Sequence, residues 1–277
     1  MSIGEASHLA TLRRAAQERQ QVRATARAAH QERRAAARPK RSAAELQEVA
    51  ARGQALLGGS GIGAADEASP AQVAAWAAQE FGVHLAVACS MADAALPHLI
   101  SQHAPWVDVL FLDTGYHFAE TLGTRNRVEL EMDVTVVDVR PELTVAEQDA
   151  AHGKDLFARD AAACCAMRKV EPLHRTLGTY EAWVTGVRRE EAPTRANTPL
   201  VTWDEKNGLV KINPVAAWTD ADLTGYAEEH GVIVNPLLND GYPSIGCAPC
   251  TARVAPGADP RSGRWAGLDK TECGLHT

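Results

Sequence analysis

Between residues 83 and 187, short apolar runs alternate with stretches of helical period, and each run ends in a polar turn. "VHLAVACS" (83–90), "VDVLFLDTG" (107–115), "DVTVVDV" (133–139) and a fourth run around 183–187 are almost continuously apolar. Strands of that kind are buried on both faces, so the pattern predicts a Rossmann-like α/β fold, a parallel sheet flanked by helices. The helices between them run to about His103 and through Glu131. Other elements announce themselves by their ends. Ser42 and Glu45 form a capping box that opens a helix to about Leu57. Ser69 and Pro70 open another, with Gly82 beyond its end, and Thr219 caps a third that stops at Gly231. "LVTWDEKNGLVKINPV" (200–215) reads as a hairpin turning at Asn207-Gly208 and extending one edge of the sheet.

Two stretches stand apart. "GGSGIGA" (58–64) contains a formal dinucleotide fingerprint, Gly59-x-Gly61-x-x-Ala64, but it follows a helix where the fingerprint needs a strand, so it reads as a flexible linker. Residues 1–41 are rich in Ala, Arg and Gln, without a clear apolar stripe, and read as a basic arm that is disordered or helical. Nucleic-acid or partner binding and an organellar transit peptide are its competing readings. From about residue 232 Pro and Gly become frequent and periodicity fades. The expected organisation is an arm (1–41), an α/β nucleotide-binding domain (42–245) and an irregular cysteine-containing tail packed on that domain (246–277).

Charge sharpens this division. The chain of 277 residues carries a formal −7, yet its first 41 residues hold ten Lys/Arg against three Asp/Glu, so the remainder carries −14. Hydrophobic content of 45% and charged content of 23% are ordinary globular values. No apolar run approaches the roughly 20 residues of a membrane span, and no secretory signal is present, which points to a cytoplasmic protein.

In open parallel sheets ligands bind beyond the carboxyl ends of the strands. "CSMAD" lies there after the first strand, and its turn offers backbone N–H groups that suit a phosphate. "LDTG" follows the second, with Asp113 and Thr114 placed to bond a ribose or base. Cys89, at the end of the first strand, reads as buried filler. The other five cysteines are less ordinary. Cys247-x-x-Cys250 has the spacing of a metal ligand pair. Cys164-Cys165 is a tandem whose side chains diverge by about 100° on a helix, poor for one tetrahedral zinc but workable for a larger four-iron cubane. Zinc, a disulfide and unconnected thiols are the rival readings. Cys273 is left over near the chain end, with His276 after it and Arg253, Arg261 and Arg264 before it. Neighbouring cations favour the reactive thiolate. Arg168-Lys169, Arg188-Arg189 and Arg195 add further positive charge, a set that makes sense if something anionic binds.

The tandem cysteines with Arg168, Lys169 and "EPL", together with "GVRR", "GCAPCT", "RSGRW" and "ECGLH", resemble the assimilatory adenylyl-sulfate (APS) reductases, which belong with the phosphoadenylyl-sulfate (PAPS) reductases. The resemblance runs from about Val83 to His276. It implies an adenine nucleotide alpha hydrolase-like fold, one [4Fe-4S] cluster held by Cys164, Cys165, Cys247 and Cys250, and catalysis by Cys273 as nucleophile with His276 beside it. Lys169, Arg195, Arg261 and Arg264 match the family's sulfate and phosphate contacts. Ser90, Asp93, Leu112, Thr114, Gly186 and Trp265 fall in its substrate-binding segments. "CSMADA" lacks the glycines with which related ATP pyrophosphatases grip pyrophosphate, which argues against ATP cleavage.

The implied reaction reduces APS to sulfite and AMP through an S-sulfocysteine on Cys273, with thioredoxin as a separate reductant protein, in sulfate assimilation and cysteine biosynthesis. A PAPS reductase is the nearest alternative. An iron–sulfur tRNA-thiolating enzyme of the same fold is a more distant one. Nucleic acid and membrane are not expected partners, and homo-oligomerisation is left open.

Overall fold

A computed structural model of the chain describes residues 3–265 and 274–275, and the chain divides into two compact units, Met1–Pro39 and Lys40–Thr277. The first is one long helix, α1 (Ile3–Ala35), ending in Arg33 and Arg34, where basic side chains favour the negative end of the helix dipole. No described helix is long and apolar enough to cross a membrane.

The second unit begins with α2 (Ala43–Leu57) and α3 (Pro70–Phe81), both opened by reciprocal capping boxes, Ser42 with Glu45 and Ser69 with Gln72. Each box satisfies amide groups that the first helical turn leaves free. The stretch between them, including "GGSGIGA", forms turns and no helix follows it directly, as the linker reading requires. Gly82 then takes φ +52 and starts a short 3-10 turn, so the first strand, β1 (Leu85–Ala88), begins two residues later than the apolar run suggests. The chain continues through α4 (Ala95–Ser101), β2 (Asp108–Leu112), α5 (Ala119–Glu131) and β3 (Thr135–Val139). Three short helices follow, α6 (Val145–His152), α7 (Leu156–Arg159) and α8 (Ala161–Cys165); a π-helical turn (Ala166–Val170) joins the last to α9 (Glu171–Leu177). Then come β4 (Ala182–Val184), β5 (Val201–Asp204), β6 (Leu209–Ile212) and α10 (Asp220–Glu229), the last capped by Thr219.

The six strands form one sheet in the order β3-β2-β1-β4-β6-β5, parallel except for the hairpin pair β5 and β6. The hairpin therefore does extend one edge, with β6 bonded to β4 and β5 outermost. Gly208, at φ +65, permits its turn. Alternate strand residues divide the interior into two layers, because successive side chains point to opposite faces. Leu85 and Val87 join Leu46, Val73 and Ile100 on one face, while Ala86, Leu110 and Trp183 meet Leu173 and Leu177 of α9 on the other. Fully burying such Leu and Val side chains stabilises the fold by roughly 1.5–3 kcal/mol each. Trp183 buries its ring completely and still satisfies its indole N–H, which donates to Asp204 Oδ2 at 3.0 Å.

The chain winds from β1 outward to β3, then returns to β4 on the other side of β1. That reversal opens a crevice at the carboxyl ends of β1 and β4.

Candidate active site

A cleft of about 1170 Å³ occupies this crevice. Ser90 and Asp93 after β1, Leu112 at the end of β2 and Gly186 beyond β4 all line it, as do Lys169, Arg195, Arg261, Arg264 and Trp265. Nine of the ten side chains or backbone positions expected to meet substrate thus converge from segments far apart in sequence. Thr114 is the exception. It is only 1% exposed and its hydroxyl lies 3.3 Å from Cys247 Sγ, so it serves the cysteines and not the cleft. Asp113, beside it, is engaged with Arg140 at 3.3 Å. Cys273 and His276 lie outside the described residues, but Leu275 lines the cleft, and Lys206 Nζ donates to Gly274 O at 2.8 Å.

The loop after β1 is firmly built. Met91 is fully buried with a left-handed backbone, φ 61, and its carbonyl accepts from Asn235 Nδ2 at 3.1 Å. Asp93 Oδ1 accepts the Ala95 N–H at 2.9 Å, turning the chain into α4. Burial raises the Asp93 carboxyl, opposed by the Arg188 charge. Burial likewise pushes the Cys89 thiol up to about 12, which keeps it protonated and unreactive, as filler should be. After β2, the His117 ring lies over Phe111 with centroids 4.6 Å apart and its Nε2 is 2.8 Å from Leu112 O, fixing the chain between strand and helix. Burial lowers the His117 pKa, opposed by the bond to the Leu112 carbonyl and the Asp113 charge, and the net lowering favours the neutral ring near pH 7.

A second, smaller cavity adjoins the cleft. It is lined by Cys164, Cys165, Cys247 and Cys250, with Thr114, Tyr116, Arg168, Lys169 and Trp265. The tandem pair comes from the end of α8; Cys247 caps a 3-10 turn, Ala248–Cys250, and Cys250 ends it. All four thiols are unbridged. Burial, followed by the charges of the other three cysteines, pushes Cys164 up to about 11. Gathering four thiolates in a buried space is unfavourable unless cations neutralise them, which is the demand a metal centre meets. Among the described residues, no three His, Cys, Asp or Glu side chains are grouped as a single ion requires.

Lys169, Cys247 and Trp265 line both cavities, so the cysteine centre and the cleft share a wall. The π-helical turn helps set this arrangement, because its wider winding separates neighbouring side chains. Arg168 is 3% exposed, while Lys169 reaches the shared wall. Arg264 stacks on Trp265 at 4.6 Å and donates to Ser244 Oγ and Ile245 O, both at 3.3 Å. Gly246 makes room for it, since a Cβ there would stand 2.5 Å from Arg264 Nη2.

The remaining cations sort by partner. Arg189 pairs with Glu67 at 2.7 Å and Arg253 with Asp240 at 2.5 Å, and neither lines the cleft. Both are structural. Arg195 donates to Glu191, and Arg188 to Asp220 at 2.5 Å, at the end of the cleft nearest Asp93. Glu191 and Asp220 escaped notice in the sequence. "RREE" after the fourth apolar run carried the signal, but nothing local told which arginine meets which carboxylate.

Residues 83–253 match the phosphoadenosine phosphosulfate reductase domain. An adenosine 5'-phosphosulfate reductase of Mycolicibacterium smegmatis is 61% identical over 210 residues, covering 76% of this chain and 89% of its own. One of Rhodococcus opacus is 57% identical over 237 residues, covering 82% and 93%. Among solved structures, the PAPS reductase of Candida auris in its phosphate complex superposes with a TM-score of 0.57 at 29% identity, covering 68% of this chain and 91% of that one. The shared sheet, the cleft at its switch point and this identity lead to one conclusion: the chain belongs to the phosphoadenosine phosphosulfate reductase family.

Proposed function

We propose that this protein is an oxidoreductase of sulfate assimilation that reduces APS to sulfite and AMP, using Cys273 as nucleophile and thioredoxin as electron donor. The observation that carries the reading is the shared wall, where Lys169 stands between a nucleotide-sized cleft and four gathered cysteines. The name of the relatives, adenosine 5'-phosphosulfate reductase, supports the substrate.

The chemistry follows from charge. APS joins sulfate to AMP through a mixed anhydride whose sulfur is electrophilic but ringed by negative oxygens. An approaching thiolate meets repulsion on the order of 4 kcal/mol for unit charges 4 Å apart at an effective dielectric of 20. Lys169, Arg261 and Arg264 line the cleft where they can offset it, and they stabilise the charge that builds on the departing phosphate oxygen. The Cys273 sulfur then forms a bond to the sulfate sulfur as the S–O bond to AMP breaks, leaving an S-sulfocysteine. A thioredoxin thiolate attacks the Cys273 sulfur and expels sulfite. The second thioredoxin thiol resolves the mixed disulfide and restores Cys273. Two electrons pass from dithiol to sulfur, which falls from the sulfate to the sulfite oxidation state.

A [4Fe-4S] cluster held by Cys164, Cys165, Cys247 and Cys250 would supply a fixed charge and a rigid anchor beside Lys169. APS is favoured over PAPS because Arg188 and Arg195 are already matched by Asp220 and Glu191, which disfavour a second phosphate at that end of the cleft. Turnover of the two nucleotides side by side compares these readings.

The decisive experiment is anaerobic incubation of iron-replete protein with APS, followed by mass spectrometry of the terminal peptide. A sulfonate on Cys273 is expected; an unmodified peptide overturns the proposal. Lys169→Ala is expected to lower kcat/KM for APS by about 10²–10³-fold, in line with removal of one transition-state donor, with no change in melting temperature. A rate within twofold of wild type, or about that, would remove Lys169 from the electrostatic argument.

A further inference from the structure

Arg168 is buried in a setting unusual for a cation. Its Nε donates to Thr114 O at 2.5 Å, and its Nη1 donates to Leu143 O at 3.2 Å and Gln148 Oε1 at 3.0 Å. The guanidinium also lies over the Tyr116 ring at 5.3 Å. All these partners are neutral. Among the described residues no carboxylate stands within ion-pair distance of it; Asp149 and Asp155, which face the same corner, act on Tyr116. Gln148 is 1% exposed and its Nε2 has no hydrogen-bond partner, so the amide is buried for what its oxygen does. A buried charge held only by neutral oxygens leaves most of its desolvation cost uncompensated. The missing negative charge is close by. Arg168 follows Cys164 by one helical turn, and the two line the same cavity with Cys165, Cys247 and Cys250.

The same guanidinium grips the loop after β2. Thr114 gives its carbonyl to Arg168 and its hydroxyl to Cys247, and Leu112, two residues earlier, lines the cleft. From this juxtaposition we infer that Arg168 is a positioning residue that couples the four-cysteine centre to the nucleotide cleft. Its counter-charge is the metal-bound thiolate set, and its lever is the backbone of Thr114. The inference rests on the proposed cluster. Metal loading holds Arg168 in place, Arg168 holds the loop at 112–114, and that loop shapes the nucleotide site. Linkage requires the reverse as well, so nucleotide in the cleft must tighten metal binding by the cysteines, and we infer that it does so by slowing metal loss.

The test uses the intact iron-loaded protein, a ferrous chelator and AMP. In the wild type, saturating AMP is expected to slow iron release by about fivefold or more. Arg168→Lys keeps the charge, but one ammonium cannot span three separate oxygens as the planar fork does. It is expected to load iron and to show AMP protection of about twofold or less. Arg168→Gln is expected to release iron about tenfold faster without AMP, since the neutralising charge is gone. It also shifts the reduction potential of the bound centre to more negative values, whereas Arg168→Lys leaves it unchanged. A purely structural role moves stability without that split. Protection as large in Arg168→Lys as in wild type overturns the inference, as does the absence of protection in wild type. Should the Arg168 variants not accumulate as folded protein, Gln148→Leu, which removes one acceptor, decides in the same assay. Reduced protection supports the coupling and unchanged protection overturns it. A wild type that binds no iron removes the cluster and this coupling together, whereas iron that binds without AMP protection removes the coupling alone.

Discussion

Replacing Cys273 by serine is expected to abolish sulfite release, a loss of at least about 10³-fold, while iron content and AMP affinity stay unchanged. The size follows from what the thiolate does. On the proposed reading, Lys169, Arg261 and Arg264, which line the cleft, would offset the charge met by an attacking sulfur, but they supply no bond of their own. A serine hydroxyl at neutral pH is a far weaker nucleophile, and a sulfate ester on it would offer no thiol–disulfide route to thioredoxin. The measurement is anaerobic sulfite production with excess reductant, beside iron analysis of the same sample. Residual turnover above a few per cent would reassign the nucleophile.

Replacing Cys247 by serine is expected to do the opposite, removing iron and fold stability together. Its thiol is nine-tenths buried, bonds the Thr114 hydroxyl at 3.3 Å, and lines both cavities. Loss of one ligand leaves three cysteines, Cys164 and Cys165 buried and Cys250 partly so, without the full set that would hold the metal. Because metal binding and folding share one free energy, the expected cost is at least about 3 kcal/mol, or a fall in Tm of roughly 10 °C for a domain of this size. Thermal unfolding with and without chelator measures it: the chelator should lower the wild-type Tm and leave the variant unmoved. Full iron content in Cys247→Ser would remove this residue from the ligand set.

The helix starts were legible in the sequence because their caps are local. Ser42 with Glu45 and Thr219 with Asp222 satisfy one another across three residues, and no distant contact can alter that. The buried strands were legible for a related reason, since a run such as "VLFL" has nowhere to go but the core. Their ends were not. β1 starts at Leu85 because Gly82 bends the chain first, and β4 stops at Val184 although the apolar run continues to Val187. The cations were the hardest to sort. Arg189 and Glu67 are separated by 122 positions, and Arg253 looks as promising as Arg264 until Asp240 is found beside it. Thr114 lies on the expected loop, but its buried hydroxyl faces Cys247, a contact that only the fold reveals.

Met91 has one more consequence. A left-handed conformation costs a residue with a Cβ roughly 1–2 kcal/mol, and glycine would remove the penalty. Here the penalty persists because the thioether fills the interior completely and Asn235 clamps the carbonyl. The curve of the chain beside Ser90 is therefore dictated by the hydrophobic interior. It cannot relax without disturbing that interior. An incoming nucleotide meets a surface already shaped for it and loses little affinity to ordering the backbone there.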